Sequence, residues 1–256
     1  MRDSPSTDAK ISNYVHIQKE SRKDAVFNNR PIKFSCPPIG MYHPVFAKFC
    51  AKMAEPLENF DFDSDELCQA ACLFMVANEI YECKNDRRHA YASLQKIWRK
   101  DMRHHEKILY HIEGTPMIMT PDRYSKVTCP LLPNGSFGIL SFEEMENELG
   151  TGHSDPLTRA ECDYVAMVTS DELLHTRQSS CCPTLLLGWA GPYLTVSGAV
   201  FTDKLITQRL TPDYIYLGPR PSTTRWTSFD HGVHKLRKSF GSSNRVSMNS
   251  ANSTST

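Results

Sequence analysis

Between residues 64 and 83 the apolar positions Leu67, Ala70, Ala71, Phe74, Ala77 and Tyr81 recur every three or four residues, the period of one helix face. Asp63, with Glu66 three positions on, forms a capping-box pattern ahead of that run, so the spacing predicts a helix over 64–83. A shorter amphipathic run predicts a helix over 45–53. A third stripe, Tyr91, Leu94, Trp98 and Met102, predicts a helix over about 87–109 whose other face carries Lys96, Arg99, Lys100, Arg103 and Lys107. Such a basic face is either a solvated surface or a stripe able to neutralise phosphates.

Past residue 115 the period changes. Extended runs are predicted at 117–119, 126–132 and 137–142, the last two separated by Asn134-Gly135, a strong hairpin-turn pair. Asp155-Pro156 opens a helix predicted to run to about 175, with proline in the first turn, where its missing N–H costs nothing. Two continuous apolar strands follow at 184–190 and 193–201 around Gly191-Pro192, then strands at 205–210 and 214–217. Helices, strands, a helix and strands again predict an α/β (α+β) fold, a mixed sheet flanked by helices from two parts of the chain. Residues 1–30 lack apolar periodicity and read as a disordered arm, 31–218 as the domain, and 219–256 as a basic, Ser-rich, mostly disordered tail with a short basic helix near 233–240.

Composition sharpens this picture. With 40% hydrophobic positions the chain has enough apolar surface for a packed core, which excludes wholesale disorder. The formal net charge of +0 hides an uneven distribution. Residues 1–30 hold six basic and four acidic groups, residues 220–256 six and one, and the stretch between them 17 and 24. Neutrality of the whole is therefore no argument against a nucleic-acid partner. No run reaches the length of a membrane helix, and no apolar stretch follows Met1-Arg2-Asp3, so an intracellular protein with no membrane partner is expected. The nine cysteines, odd in number and without Cys-x-x-Cys spacing, read as reduced thiols, mostly small core residues rather than zinc ligands. Kinase loops, a Walker A loop and a Gly-x-Ser-x-Gly elbow are all missing. His105 and His111 are spaced six apart rather than the four a zinc-protease helix needs.

The densest chemistry lies in Glu143-Glu144-Met145-Glu146-Asn147-Glu148-Leu149-Gly150-Thr151-Gly152. If the preceding strand continues, Glu144, Glu146 and Glu148 share one face. Like charges so placed need a metal ion, basic partners or full exposure. The segment from Glu144 to Asp155-Pro156 resembles a Glu-x-Lys-Asn-Glu-Ile-Gly-Thr-Gly…Asp-Pro block of large fungal proteins of the protein-kinase-like and Crinkler-like type. There it lies ahead of a kinase-like domain. Gly40-Met41-Tyr42-His43-Pro44-Val45-Phe46 and the run from Cys182-Pro183 through Gly191-Pro192 to Gln208-Arg209-Leu210-Thr211 look like blocks of the same family. Together the resemblance covers about residues 33–218.

The family's Glu-x-Lys resembles half of a PD-(D/E)XK nuclease site, in which an Asp and a Glu on neighbouring strands hold Mg²⁺ and a Lys orients and deprotonates the attacking water. The resemblance implies a PD-(D/E)XK-like core with Asp122 as the first acid and metal ligand and Glu144 as the second. At the lysine position stands Glu146, and where the family has Gln early in the next helix stands Arg159. Arg159 is expected to pair with Glu146, while Lys126 is a candidate for a relocated lysine. The expectation is a non-catalytic or impaired nuclease-like domain with a binding or regulatory role, no cofactor, and a kinase-like domain or another protein as partner. Its alternatives are an active Mg²⁺-dependent nuclease acting on DNA and a structural interaction module.

Overall fold

The computed structural model describes residues 4–20, 25–56, 59–92, 94, 103–104, 106–130, 132, 135–152, 154–211 and 215–217. The basic tail, the helix expected near 233–240 and Lys96, Arg99 and Lys100 lie outside these residues.

A mixed sheet of eight strands organises the chain. In chain order its strands are β1 (Val26–Phe27), β2 (Arg103–His104), β5 (Arg123–Thr128), β6 (Phe137–Glu146), β7 (Thr184–Ala190), β8 (Tyr193–Phe201), β9 (Leu205–Arg209) and β10 (Ile215–Tyr216). Across the sheet the order is β1-β9-β8-β7-β6-β5-β2, with β10 against β8. Two pairings are parallel, β6 with β7 and β1 with β9, and the rest are antiparallel. A separate hairpin, β3 (Ile108–Ile112) and β4 (Thr115–Met119), turns through Glu113 and Gly114. Both have positive φ, as a two-residue primed turn requires.

The helices are α1 (Pro5–Asp8), α2 (Ile11–Glu20), α3 (Pro44–Ala54), α4 (Ser64–Asn78), α5 (Lys84–Ala92), α6 (Pro156–Val168) and α7 (Leu174–Ser179). One sheet face packs Leu185, Leu187, Trp189, Leu194 and Val196 against Phe46 and Phe49 of α3, Leu73 of α4 and Tyr91 of α5. The other packs Phe142 and Leu186 against Leu157, Tyr164 and Val168 of α6, with Tyr110 and Met119 of the hairpin. Strands β7 and β8 lie at the centre between these two cores. They are buried almost end to end, which is why they read as unbroken apolar runs.

Several elements follow the sequence pattern. The Asp63–Glu66 capping box forms in both directions, and the strands over 184–190 and 193–201 have the expected ends. Four expectations need correction. Of the helix expected over 87–109, residues 87–92 lie in α5 and Leu94 is in a turn, while Arg103 and the stretch after Lys107 are extended, Ile108–Ile112 pairing with Thr115–Met119 as a hairpin. The helix to about 175 divides into α6 and α7. The described part of the N-terminal arm is folded: Gln18 of α2 is buried and bonds the backbone of Val26, and β1 pairs with β9. Tyr14 donates a hydrogen bond to buried Glu161, which also accepts one from Thr207. Side-chain bonds and a few scattered apolar residues (Ala9, Ala25, Val26 and Phe27) hold this segment, so no periodic stripe revealed it. Finally, all nine cysteines are free, but only Cys162 and Cys182 are buried.

Among the described residues no helix is long and apolar enough to cross a membrane.

Candidate functional site at the ends of β5 and β6

Strand β6 runs through Glu146, so Glu144 and Glu146 do share the face that looks toward α6, and Glu143 and Met145 look the other way. On that other face Arg123, the register partner of Glu143, forms an ion pair with it at 2.5 Å, both side chains being buried. The first glutamate of the run is thus neutralised across the strand pair.

Asp122 sits immediately before β5 and locks onto β6 at two points. Its backbone N–H donates to Glu144 Oε1 at 2.9 Å, and Met145 N–H donates to its Oδ2 at 2.7 Å. Asp122 and Glu144 are therefore fixed side by side, both side chains 0% exposed. The gap of more than twenty residues between them is the β5–β6 hairpin itself.

Three cations converge on this pair. Lys84, the first residue of α5, places Nζ 3.1 Å from Asp122 Oδ2, 3.9 Å from Glu144 Oε2 and 3.3 Å from Glu146 Oε1. Arg88, one turn later on the same helix face, pairs with Asp122 Oδ1. Arg159 of α6 reaches Glu144 Oε2 at 2.9 Å. It does not pair with Glu146 as expected; Lys84 does. Lys126 is exposed on β5 with Nζ over the Phe137 ring at 5.1 Å, at the end of the strand away from Asp122, and supplies nothing to the site.

Space for this convergence comes from two glycines. Gly188 of β7 is the register partner of Glu144, and a side chain there would come within 2.7 Å of the Leu157 backbone. Its absence lets the start of α6 settle on the sheet, which brings Arg159 over Glu144. Gly152, the second glycine of the Gly-Thr-Gly segment, lies against Glu146, where a Cβ would stand 2.6 Å from the carboxyl carbon.

Asn147 and Glu148 serve another residue. Arg87 of α5 is fully buried and donates to Glu148 Oε1 at 2.7 Å, Asn147 Oδ1 at 3.4 Å and the carbonyls of Ala77 and Glu79, each at 3.2 Å. Its guanidinium also lies 4.7 Å from the centroid of the Tyr81 ring. This clamp ties the chain after β6 to the end of α4 and sets the height of α5, and hence of Lys84.

The electrostatics are strained. Burial pushes Glu144 well above the usual carboxylate value, and the neighbouring charge of Asp122 pushes the same way against Arg159 and Lys84. Asp163, one turn beyond Arg159 on α6, is buried behind Glu144; burial raises it to about 7. Burial would also raise Asp122, but Lys84 and Arg88 outweigh it and hold that carboxyl below its usual value. Arg159 loses solvation too, yet Glu144 and Asp122 raise it overall. Perturbed groups of opposite sign cluster at functional sites and in structural ion-pair networks alike. The carboxylates lie beneath while Lys84, Arg88 and Arg159 are 20%, 19% and 24% exposed. An approaching molecule meets the cations first.

Asp122, Glu144, Glu146 and Arg159 therefore come together as a set. Sequence reasoning missed Lys84, Arg88 and Asp163. One signal for Lys84 was available: a lysine opening a helix opposes the helix dipole, and a local conflict of that kind asks for a compensating partner.

As to a metal, Asp122 Oδ1 and Glu144 Oε2 are each held by an arginine, and Glu144 also shares a side-chain hydrogen bond with Asp163. A hard cation takes carboxylate oxygens, but these are already paired with arginine and lysine, and among the described residues no three or more His, Cys, Asp or Glu side chains form a group that could hold one. Comparison with family profiles, with curated proteins and with solved structures gives no match.

Proposed function

We propose that this chain is a nuclease-like domain of the PD-(D/E)XK kind in which the lysine has moved from β6 to α5. The carrying observation is the position of Lys84, 3.1 Å from Asp122 and 3.3 Å from Glu146. Glu146 occupies the lysine position on the strand, and its carboxylate pairs with an ammonium group supplied by α5. The charge the resembling family carries on β6 is thus delivered to the same spot from elsewhere. The antiparallel β5–β6 pair, the crossover through α6 and the parallel β7 support the reading.

In this reading Asp122 and Glu144 would hold Mg²⁺, which when bound polarises a phosphodiester and makes a coordinated water more acidic. Lys84 orients the attacking water and takes part in its deprotonation. Arg88 and Arg159 are partly exposed, and their planar forks suit phosphate oxygens. DNA is the proposed substrate. The test is cleavage of single- and double-stranded DNA in Mg²⁺ or Mn²⁺. Activity that disappears in Glu144→Ala and falls at least about 100-fold in Lys84→Ala is expected, the range for a positioned proton-transfer group. Full activity in Lys84→Ala would refute the relocated lysine.

A second reading rests on the same ion pairs. Arg88 and Arg159 already neutralise the two carboxylates, as a degenerate site would. The domain would then bind or regulate without cleaving, its partner a kinase-like domain or another protein. Lack of cleavage with either metal would favour it.

A further inference from the structure

We propose that the outer face of α4 is the docking site of this chain's own basic segment Val233–Phe240. Helix α4 is apolar on two sides. Ala70, Leu73 and Ala77 are buried in the core. Leu67, Cys68, Ala71, Cys72 and Met75 form a second stripe at helical spacing, turned away from the first and exposed. Met75 is 69% exposed. A solvated helix face normally carries charged and polar side chains. Here charge returns only at the ends of the stripe, with exposed Asp65 one turn before Cys68 and exposed Glu79 one turn after Met75.

The occupant follows from reach, pattern and charge. The described chain ends beside this helix: Asn78, the last residue of α4, donates from Nδ2 to the Leu217 carbonyl at 2.8 Å. Residues 218–232 then lead to Val233. At up to about 3.3 Å per residue they reach roughly 50 Å, more than twice the length of α4, about 22 Å. The sequence of the segment spaces Val233, Leu236 and Phe240 for a single helix face. On a helix those three extend over about 10 Å, and Leu67 to Met75 extends over about 12 Å, so the two stripes match in length. Lys235, Arg237 and Lys238 are opposite in sign to Asp65 and Glu79. The tether makes docking intramolecular, at an effective concentration on the order of 1 mM, so a contact of about millimolar affinity is already half formed.

Two cysteines native to the face report on it. In the full chain, alkylation by iodoacetamide is followed at each cysteine by peptide mass spectrometry, with Cys50 of α3 and Cys83 ahead of α5, both exposed, as internal references. Leu236→Asp puts a charge in the middle of the docking stripe without altering any described residue. Cys68 and Cys72 are expected to react at least about 10-fold faster in Leu236→Asp than in the native chain, as for a face that is otherwise open a tenth of the time, while Cys50 and Cys83 keep their rates. Leu236→Cys should form a disulfide with Cys68 or Cys72 under diamide within one chain, seen as a monomer on non-reducing electrophoresis and as a cross-linked peptide by mass. Equal rates at Cys68 and Cys72 in the native chain and in Leu236→Asp would overturn the proposal. So would a disulfide that joins two chains and grows with protein concentration, which assigns the face to a second copy. None of these outcomes bears on Asp122, Glu144 or Lys84, whose role the DNA-cleavage test decides separately.

Discussion

Replacing Arg87 with methionine isolates the clamp that holds the site together. Methionine keeps much of the aliphatic volume and can still lie against Tyr81. It removes donors to Glu148, Asn147 and the carbonyls of Ala77 and Glu79. Removing one member of a buried ion pair costs roughly 3–5 kcal/mol. Here Glu148 is 43% exposed and rehydrates when left alone, which moves that contribution to the lower end. The two carbonyls lose charge-assisted bonds, adding roughly 1 kcal/mol each. The expected loss for Arg87→Met is about 5 kcal/mol, or roughly 10–20 °C in melting temperature for a chain of this size. Urea unfolding followed by circular dichroism measures it. Glu148→Gln is the companion variant and should lose under about 1 kcal/mol, because its partner keeps three other acceptors and the side chain is half in water. A loss below about 1 kcal/mol in Arg87→Met, or equal losses in the two variants, would refute the view that a buried arginine organises this corner.

Other consequences are equally direct. Gly188→Ala should cost roughly 2 kcal/mol by overpacking, because the added methyl meets the Leu157 backbone rather than a movable side chain; it should also weaken DNA binding by displacing Arg159, and unchanged stability and binding would show that α6 does not depend on the contact. Asp163 binds its proton up to about 7 in the folded chain against a usual 3.8, so the stabilisation is complete below the unfolded value and is lost as pH rises between roughly 4 and 7; the melting temperature should fall over that window less steeply in Asp163→Asn than in the native chain, and parallel slopes would count against the assignment. Asp122, held below its usual value, acts at lower pH, where stability is lost as the pH falls. Asp63→Ala removes the cap of α4 and should cost roughly 1 kcal/mol in denaturant unfolding, while leaving DNA binding unchanged.

The carboxylate half of the site was legible because it is local. Alternation along one strand puts Glu144 and Glu146 on one face, and the run of like charges signalled that something must oppose them. What opposes them was not legible. Arg123 answers Glu143 across β5, Lys84 answers Glu146 from α5, Arg159 answers Glu144 from α6, and Arg87 answers Glu148. Each partner lies on another element, and spacing along the chain says nothing of which helix faces which strand. Arg159 was correctly placed near the site but given the wrong partner, since its choice between Glu144 and Glu146 depends on how deeply α6 sits. Gly188 sets that depth.

Patterns of period two and period three to four thus determined the strands over 184–190 and 193–201, the capped start of α4, the mixed α/β class and the acidic end of β6. Each rests on neighbours within one or two turns of chain. Tertiary structure alone decided that the described N-terminal segment is folded, that residues 108–119 form a hairpin, and that Lys84 stands over Asp122. The folded N-terminal segment and the place of Lys84 depend on side-chain bonds between segments more than twenty residues apart, such as Tyr14 to Glu161 and Lys84 to Glu146, and the hairpin, local in sequence, is docked by Asp171 and Glu172. A buried charge is stable only opposite its counter-charge, and three-dimensional proximity is what supplies one.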